Sequence, residues 1–263
     1  MTTYTPCELW RRPPADALER LERAIGNASG RPATVFFRAD DIGLPGSQLA
    51  GMTALFVRRG VPLALAVVPT WLPMRHADLK SQLAPGGDLW CLHQHGFRHA
   101  NHEQGTPARK KSEFGPARSV EAKQRDIFRG RDILESHFGE RLYPLFTPPW
   151  NRCDGETLSI LAELGFKAVS RSAGARPTTP RDLQELTVNV DLHTRKEPTA
   201  ESALAALLDE LEQGLAKGHC GIMLHHQRMN RAALEFLDRL LTVIGRTAGL
   251  RMAHPADLLA DAR

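Results

Sequence analysis

The stretch from Leu89 to Glu103 carries four histidines, His93, His95, His99 and His102, a dense share of the eleven in the chain. Neutral imidazole is the commonest metal ligand. The spacing His95-x-x-x-His99 predicts two ring nitrogens on one side of a helical turn. Its apolar lead-in, Leu89 to Leu92, reads as the end of a buried strand, and Gly96 as a sharp exit from it. Taken alone, the stretch also fits a solvated loop that happens to be rich in histidine.

Other reactive side chains recur where apolar runs end. Asp40 and Asp41 follow Ala33–Arg38, and Trp150, Asn151 and Arg152 follow Leu142–Thr147. Asp191 follows Leu186–Val190, and His225 and His226 follow Cys220–Leu224. Asp41, His95 and His99 together offer one carboxylate and two imidazoles, a set that leaves positions on a metal open for water and substrate. Neighbouring residues at a strand end point in different directions, so Asp40 and Asp41 can divide the work between a metal and a proton. Without the histidines, a turn or helix cap before Gly43 would be the better account of that pair. His225 is a candidate general acid, tuned by a carboxylate such as Asp191, or else a satisfied rim residue. Pro148-Pro149-Trp150 builds a stiff wall whose indole could stack on a sugar face or serve as plain core.

The elements that would position these groups alternate. Strand-like runs lie at Ala33–Arg38, Val61–Pro69, the lead-in to His93, Leu142–Thr147, Phe166–Ser170, Leu186–Val190, Cys220–Leu224 and Leu250–Met252. Helical spacing lies between them, at Ser47–Arg59, Ala117–Phe138, Leu158–Leu164, Ala200–Leu215 and Ala232–Ile244. The strands are solid apolar runs, the pattern of a parallel sheet covered by helices. With 263 residues, 42% hydrophobic and 24% charged, the chain has ordinary globular composition. It reads as a single domain over 1–263, with 1–31 as an N-terminal helical extension. In a barrel, the strand ends that carry the reactive residues would meet on one rim.

Net charge is +4 with both signs interspersed, which argues against a nucleic-acid-binding face. The basic run Arg109-Lys110-Lys111 sits in a long polar segment, 101–116, that could cover a substrate. No apolar run approaches a membrane span, and Met1 to Arg12 lacks the apolar core of a signal peptide. Cys7, Cys91, Cys153 and Cys220 are widely spaced and read as free thiols. The expectation is a cytoplasmic protein with no nucleic-acid or membrane partner.

The order Asp-Asp, His-x-x-x-His, Pro-Pro-aromatic, Asp, and a His at the end of an apolar strand resembles the polysaccharide deacetylase family, the NodB-homology domain. Phe37-Arg38-Ala39-Asp40-Asp41 resembles its first motif, His95-Gly96-Phe97-Arg98-His99 its second, Phe146-Thr147-Pro148-Pro149-Trp150-Asn151 its third, and Met223-Leu224-His225 its fifth. The likeness spans Val35 to His226. It implies a distorted (β/α) barrel of seven or eight mostly parallel strands with outer helices. It also implies a divalent metal on Asp41, His95 and His99, most often zinc, with cobalt or nickel as alternatives. Asp40 would be the general base and His225 the general acid, supported by Asp191. Trp150, Asn151, Arg152 and His226 would line the substrate site. The reaction would remove an N-acetyl group from an amino sugar or oligosaccharide. A small non-polymer amide as substrate, or a non-catalytic carbohydrate-binding protein, are the alternatives. Three departures stand out: Thr147 occupies the place where the family has an Arg that contacts the base, Leu192-His193 follows Asp191 in place of the fourth motif's Trp, and either His225 or His226 fits the fifth motif. Arg38 or Arg152 could replace the missing Arg.

Overall fold

All residues of strand β1 (Ala33–Ile42) but Thr34 are buried. Its Val-Phe-Phe segment suits a pleated surface covered on both faces. The structure, a computed structural model, describes residues 4–72, 76–104 and 110–260. Seven more strands run parallel to β1: β2 (Leu63–Val67), β3 (Trp90–His95), β4 (Leu142–Thr147), β5 (Ala168–Ser172), β6 (Gln184–Val188), β7 (Val190–Asp191) and β8 (His219–Leu224). Their order across the sheet is β6-β5-β4-β3-β2-β1-β8-β7. A short β9 (Leu250–Met252) pairs with the start of β1, Ala33 opposite Leu250.

The run expected as one strand, Leu186–Val190, is in fact two. β6 pairs with β5 and β7 with β8, and only Asn189 lies between them. One chain segment therefore joins the two ends of the sheet, giving a nearly closed barrel of eight parallel strands. Asn189 makes the join. Its backbone N–H donates to the Gly221 carbonyl at 2.9 Å, its Oδ1 accepts from Gly221 N at 2.7 Å, and its Nδ2 donates to the His219 carbonyl at 3.1 Å. The wall is tight there: a Cβ on Gly221 would lie 2.3 Å from the Thr187 carbonyl oxygen and 2.6 Å from the Phe36 ring.

The helices are α1 (Glu8–Arg11), α2 (Ala17–Gly26), α3 (Ser47–Arg59), α4 (His76–Leu83), α5 (Val120–Phe138), α6 (Gly155–Glu163), α7 (Ala200–Ala216), α8 (Arg231–Arg246) and α9 (Pro255–Ala260). Several start on side-chain caps, Ser119 for α5, Asp154 for α6, Thr199 for α7 and Asn230 for α8. Leu204, Leu207, Leu208, Leu211 and Leu215 give α7 one apolar face, which joins the largest core cluster. Leu9, Trp10, Leu21 and Ile25 from the N-terminal helices belong to that same cluster. Among the described residues no helix is long and apolar enough to cross a membrane.

The barrel interior is layered. Alternate residues of a strand share a face, so Phe36, Arg38 and Asp40 follow one another inward along β1, as do Cys91, His93 and His95 along β3. The first layer is apolar, with Phe36, Ala64, Cys91, Leu145 and Ala168 in one cluster. The next is polar and fully buried, with Arg38, His93 and Ser170. Arg38 Nη1 donates to Ser170 Oγ at 2.8 Å, a contact that crosses the interior from β1 to β5. The third layer is the mouth.

Gly221→Ala should lower stability by about 1–3 kcal/mol, because carbonyl and ring must move to admit one methyl. Gly26→Ala, with nothing within 4 Å of the added carbon, should raise it by about 0.4–1 kcal/mol. Urea denaturation midpoints check both, and equal midpoints for Gly221→Ala and wild type would show that the wall at Asn189 is not tight.

Candidate active site

β1 runs further than its apolar residues suggest, through Ile42, so Asp40 and Asp41 lie within the strand end. The pairing with β2 shifts register between Ala39 and Ile42, and Asp41 has φ 62°. Such a bulge re-aims side chains, and here two consecutive carboxylates both serve the mouth. Asp41 Oδ1 lies 3.3 Å from His95 Nε2 and 3.1 Å from His99 Nε2. One donor atom from each of these three residues falls within 4.8 Å of the other two.

The two histidines are not on a helical turn. β3 ends at His95, Gly96 (φ 55°) reverses the chain, and His99 (φ 58°) turns it again. The i, i+4 spacing holds for a different reason than periodicity. The amides of Phe97, Arg98 and His99 bond to the buried carboxylate of Glu113, a residue to which the sequence attached no role. His95 Nδ1 bonds to the Thr147 carbonyl at 2.9 Å. A carbonyl only accepts, so Nδ1 carries the proton and Nε2 faces Asp41, the arrangement typical of a metal-ligating histidine.

Asp40 is held from below. Arg38 Nε and Nη2 donate to its two oxygens at 2.8 and 2.9 Å, and Nη2 also donates to Asn151 Oδ1 at 2.6 Å. Arg38 thus provides the charge that Thr147 lacks. Arg152 does not: it is half-buried, and its Nη1 donates to the Lys111 carbonyl at 3.1 Å. Thr147 instead bonds through Oγ1 to His93 Nε2 at 2.9 Å. Burial pushes His93 down to about 3, so it is a neutral part of the polar layer.

The remaining predicted site residues surround this centre unevenly. Trp150 is half-buried, with its ring 4.5 Å from that of His99, and Trp71 flanks the same imidazole at 6.1 Å. Trp150 (φ 56°) and Asn151 (φ 58°) are left-handed too. Among the described residues, all four non-glycine residues with positive φ, Asp41, His99, Trp150 and Asn151, belong to this mouth. Backbone strain of this kind concentrates at functional sites. His225 is half-buried and His226 buried, and burial pushes His226 down to about 4. Asp191 accepts from the amides of His193 and Thr194 at 3.0 and 2.9 Å and from the Thr194 hydroxyl. Burial would raise this carboxyl, but His225 and the bonds from its own loop hold it below its ordinary value. Lys110 and Lys111 are exposed, while Arg109 lies outside the described residues.

Electrostatics favour a cation. Burial would raise the Asp40 carboxyl, but Arg38, His95 and His225 hold it below its ordinary value. Burial acts the same way on Asp41, and His95 and His99 outweigh it. Burial alone would lower His95, yet Asp41 and Asp40 raise it. A site that draws a proton onto an imidazole facing a carboxylate has the donor set and the field for a divalent metal, whose binding displaces that proton. Asp41, His95 and His99 therefore fit such an ion.

No family profile matches the chain, and no curated protein matches it in sequence. Solved structures do match. A Mycobacterium smegmatis protein assigned as a polysaccharide deacetylase superposes with TM-score 0.66 at 16% identity, over 100% of this chain and 95% of that one. Puue allantoinase superposes with TM-score 0.62 at 15% identity, over 89% and 90%. BA3943, a CE4 family pseudoenzyme from Bacillus anthracis, superposes with TM-score 0.57 at 13% identity, over 88% and 66%. This chain has the polysaccharide deacetylase fold.

Arg38→Met should cost about 3–5 kcal/mol of stability, since it strands the buried Asp40 carboxylate, and Arg38→Lys should recover only part because an ammonium cannot make the two-point contact. Chemical denaturation at neutral pH measures both, and an undiminished Arg38→Met would show that the pair is not a net support. Acid should weaken the fold through His193 as well. Burial pushes its imidazole from the ordinary 6.5 down to about 3. The unfolded chain then binds the proton first, so stability is full above about pH 6.5 and declines as pH falls toward 3, by at most about 1.4 kcal/mol per unit. His193→Gln should flatten the decline between pH 6.5 and 4, and an unchanged slope would assign it to other groups.

Proposed function

We propose that this protein is a metal-dependent hydrolase that removes the N-acetyl group from an amino sugar or short saccharide. One observation carries the reading: an ionised Asp40, gripped by Arg38, stands next to the Asp41, His95 and His99 cluster at the barrel mouth. A base beside a two-imidazole, one-carboxylate donor set is what amide hydrolysis by water requires.

Asp41, His95 and His99 would hold the cation, zinc first, with cobalt or nickel as alternatives. When bound, that ion supplies Lewis acidity, polarising the acetamide carbonyl and making water a better nucleophile near neutral pH. Asp40 takes a proton from the attacking water as the new C–O bond forms. Arg38 keeps it ionised and aimed, and Asn151 steadies the guanidinium from the substrate side. His225, which neighbours the Asp191 carboxylate, gives a proton to the amide nitrogen as the C–N bond breaks. The products are acetate and the free amine. Trp150 offers an aromatic face beside His99, and Asn151, Arg152 and His226 would complete the contacts to substrate. Four free cysteines support a reducing, cytoplasmic setting.

The likeness to an allantoinase supports a second substrate class on the same machinery, a small cyclic amide. The likeness to a pseudoenzyme raises a non-catalytic binding role, against which the intact Asp40, Asp41, His95 and His99 speak.

Protein purified without a histidine tag should carry roughly one zinc equivalent, lost in His95→Ala. Asp40→Asn should keep the metal and lose about 10²–10⁴-fold in turnover. Acetate release from N-acetylated saccharides, run beside ring opening of cyclic amides, separates the substrate classes. No metal uptake after incubation with zinc, cobalt or nickel would overturn the reading.

A further inference from the structure

We propose that Glu113 is a positioning residue for the metal ligand His99, acting through the backbone of the 97–99 loop. The inference rests on the metal reading above and adds to it a residue outside the ligand set.

After β3 ends, the N–H groups of Phe97, Arg98 and His99 have no strand or helix to pair with. Buried amides need partners, and one side chain serves all three. Glu113 Oε2 accepts from Phe97 N at 3.1 Å and from His99 N at 3.2 Å, and Oε1 accepts from Arg98 N at 2.7 Å. The carboxylate is fully buried. Successive amides aimed at one side chain form a concave donor set.

The approach is possible only at a glycine. A Cβ on residue 96 would lie 2.3 Å from Glu113 Oε2 and 2.6 Å from Pro149, and the φ of 55° is itself one that side chains rarely adopt. His99 is left-handed without being glycine, a conformation that persists only where its surroundings over-determine it. Glu113 is the group bonded to its amide.

Glu113 is itself anchored on both sides. Ser112 accepts from His102 N at 2.9 Å, and its own N–H donates to Asn101 Oδ1 at 3.0 Å. The Phe114 carbonyl accepts from Asp154 N at 2.9 Å and from Thr157 Oγ1 at 3.1 Å. The Phe114 ring packs with Phe97 and Phe146 in one apolar cluster. Rigidity thus passes from α6, through Phe114 and Glu113, to the loop that ends in His99. The described part of the 101–116 segment carries this strut, which is distinct from covering a substrate.

The test is zinc affinity, read by competition with a chromophoric chelator, for wild type, Glu113→Gln, Glu113→Asp, His99→Ala and the double variant His99→Ala with Glu113→Gln. Glutamine offers one acceptor and turns an NH2 toward donors. It should weaken zinc binding about 10–100-fold while far-UV dichroism stays native. Aspartate, shorter by one carbon, should fall between. In the His99→Ala background, Glu113→Gln should cost little more, since the ligand it positions is gone. Hydrogen exchange of the wild-type amides of residues 97–99 gives a second readout that needs no variant: protection is expected despite the absence of helix or strand. A wild type that binds no zinc fails the metal reading itself. A wild type that binds zinc, with Glu113→Gln binding equally tightly, or losing as much with His99 absent as present, overturns the positioning role, as do freely exchanging amides.

Discussion

The pair formed by Arg38 and Asp40 is the constraint on which the mouth of this barrel depends. Two consecutive carboxylates and several histidines share a small volume largely removed from water. Left alone, buried carboxylates take up protons, and a protonated base does no work. A fully buried guanidinium two residues earlier on the same strand changes that balance. It contacts both oxygens of Asp40, bonds across the interior to Ser170, and reaches Asn151 on the far rim. Desolvating such an ion pair is costly, and it stands only because its donors are matched. Arg38 is therefore support and electrostatics together, and the polar layer it shares with His93 and Ser170 separates the apolar floor from the chemistry above.

The loops of the mouth are shaped by a recurring device, a carboxylate that takes backbone amides. Glu113 does so for 97–99, Asp191 for 193–194, and Asp154 for the start of α6. Parallel strands leave their terminal amides unpaired where loops begin, and these side chains fill the gap. The same rim holds left-handed residues at Asp41, His99, Trp150 and Asn151, and of these His99 is bonded at its amide by Glu113. Preorganisation of this kind is what electrostatic catalysis needs.

The N-terminal segment contributes to the same rim from outside. Trp10 donates its indole N–H to the Leu192 carbonyl at 2.8 Å, and Asn230 Nδ2 donates to the Trp10 carbonyl at 2.6 Å. The Trp10 ring lies 6.0 Å from that of His193, and the His225 amide bonds to His193 Nδ1 at 3.2 Å. Trp10, in the segment that sequence patterning set apart as 1–31, thus touches the loop that carries Asp191 and, through His193, the start of the one that carries His225.

Solid apolar runs ending in Asp, His or Trp were enough, in the sequence, to read parallel strands and to pick out Asp41, His95 and His99, which the fold brings together. Strand order and period-two alternation then leave few arrangements, and the fold matches. Contacts between distant residues were not readable. Arg38 and Arg152 were equal candidates to face Asp40, and the choice turned on which strand face points inward, fixed by Ser170, 132 positions away. The i, i+4 histidine spacing suggested a helix because periodicity is a local signal, whereas the turn is set by Gly96 and by a carboxylate 14 to 16 positions downstream. The break at Asn189 was hidden for the same reason, since closing a barrel is a property of the whole sheet. Residue types determined which chemistry was available; only packing across the interior decided which side chains meet, because hydrogen bonds and ion pairs depend on distance in space, and local sequence carries no measure of it.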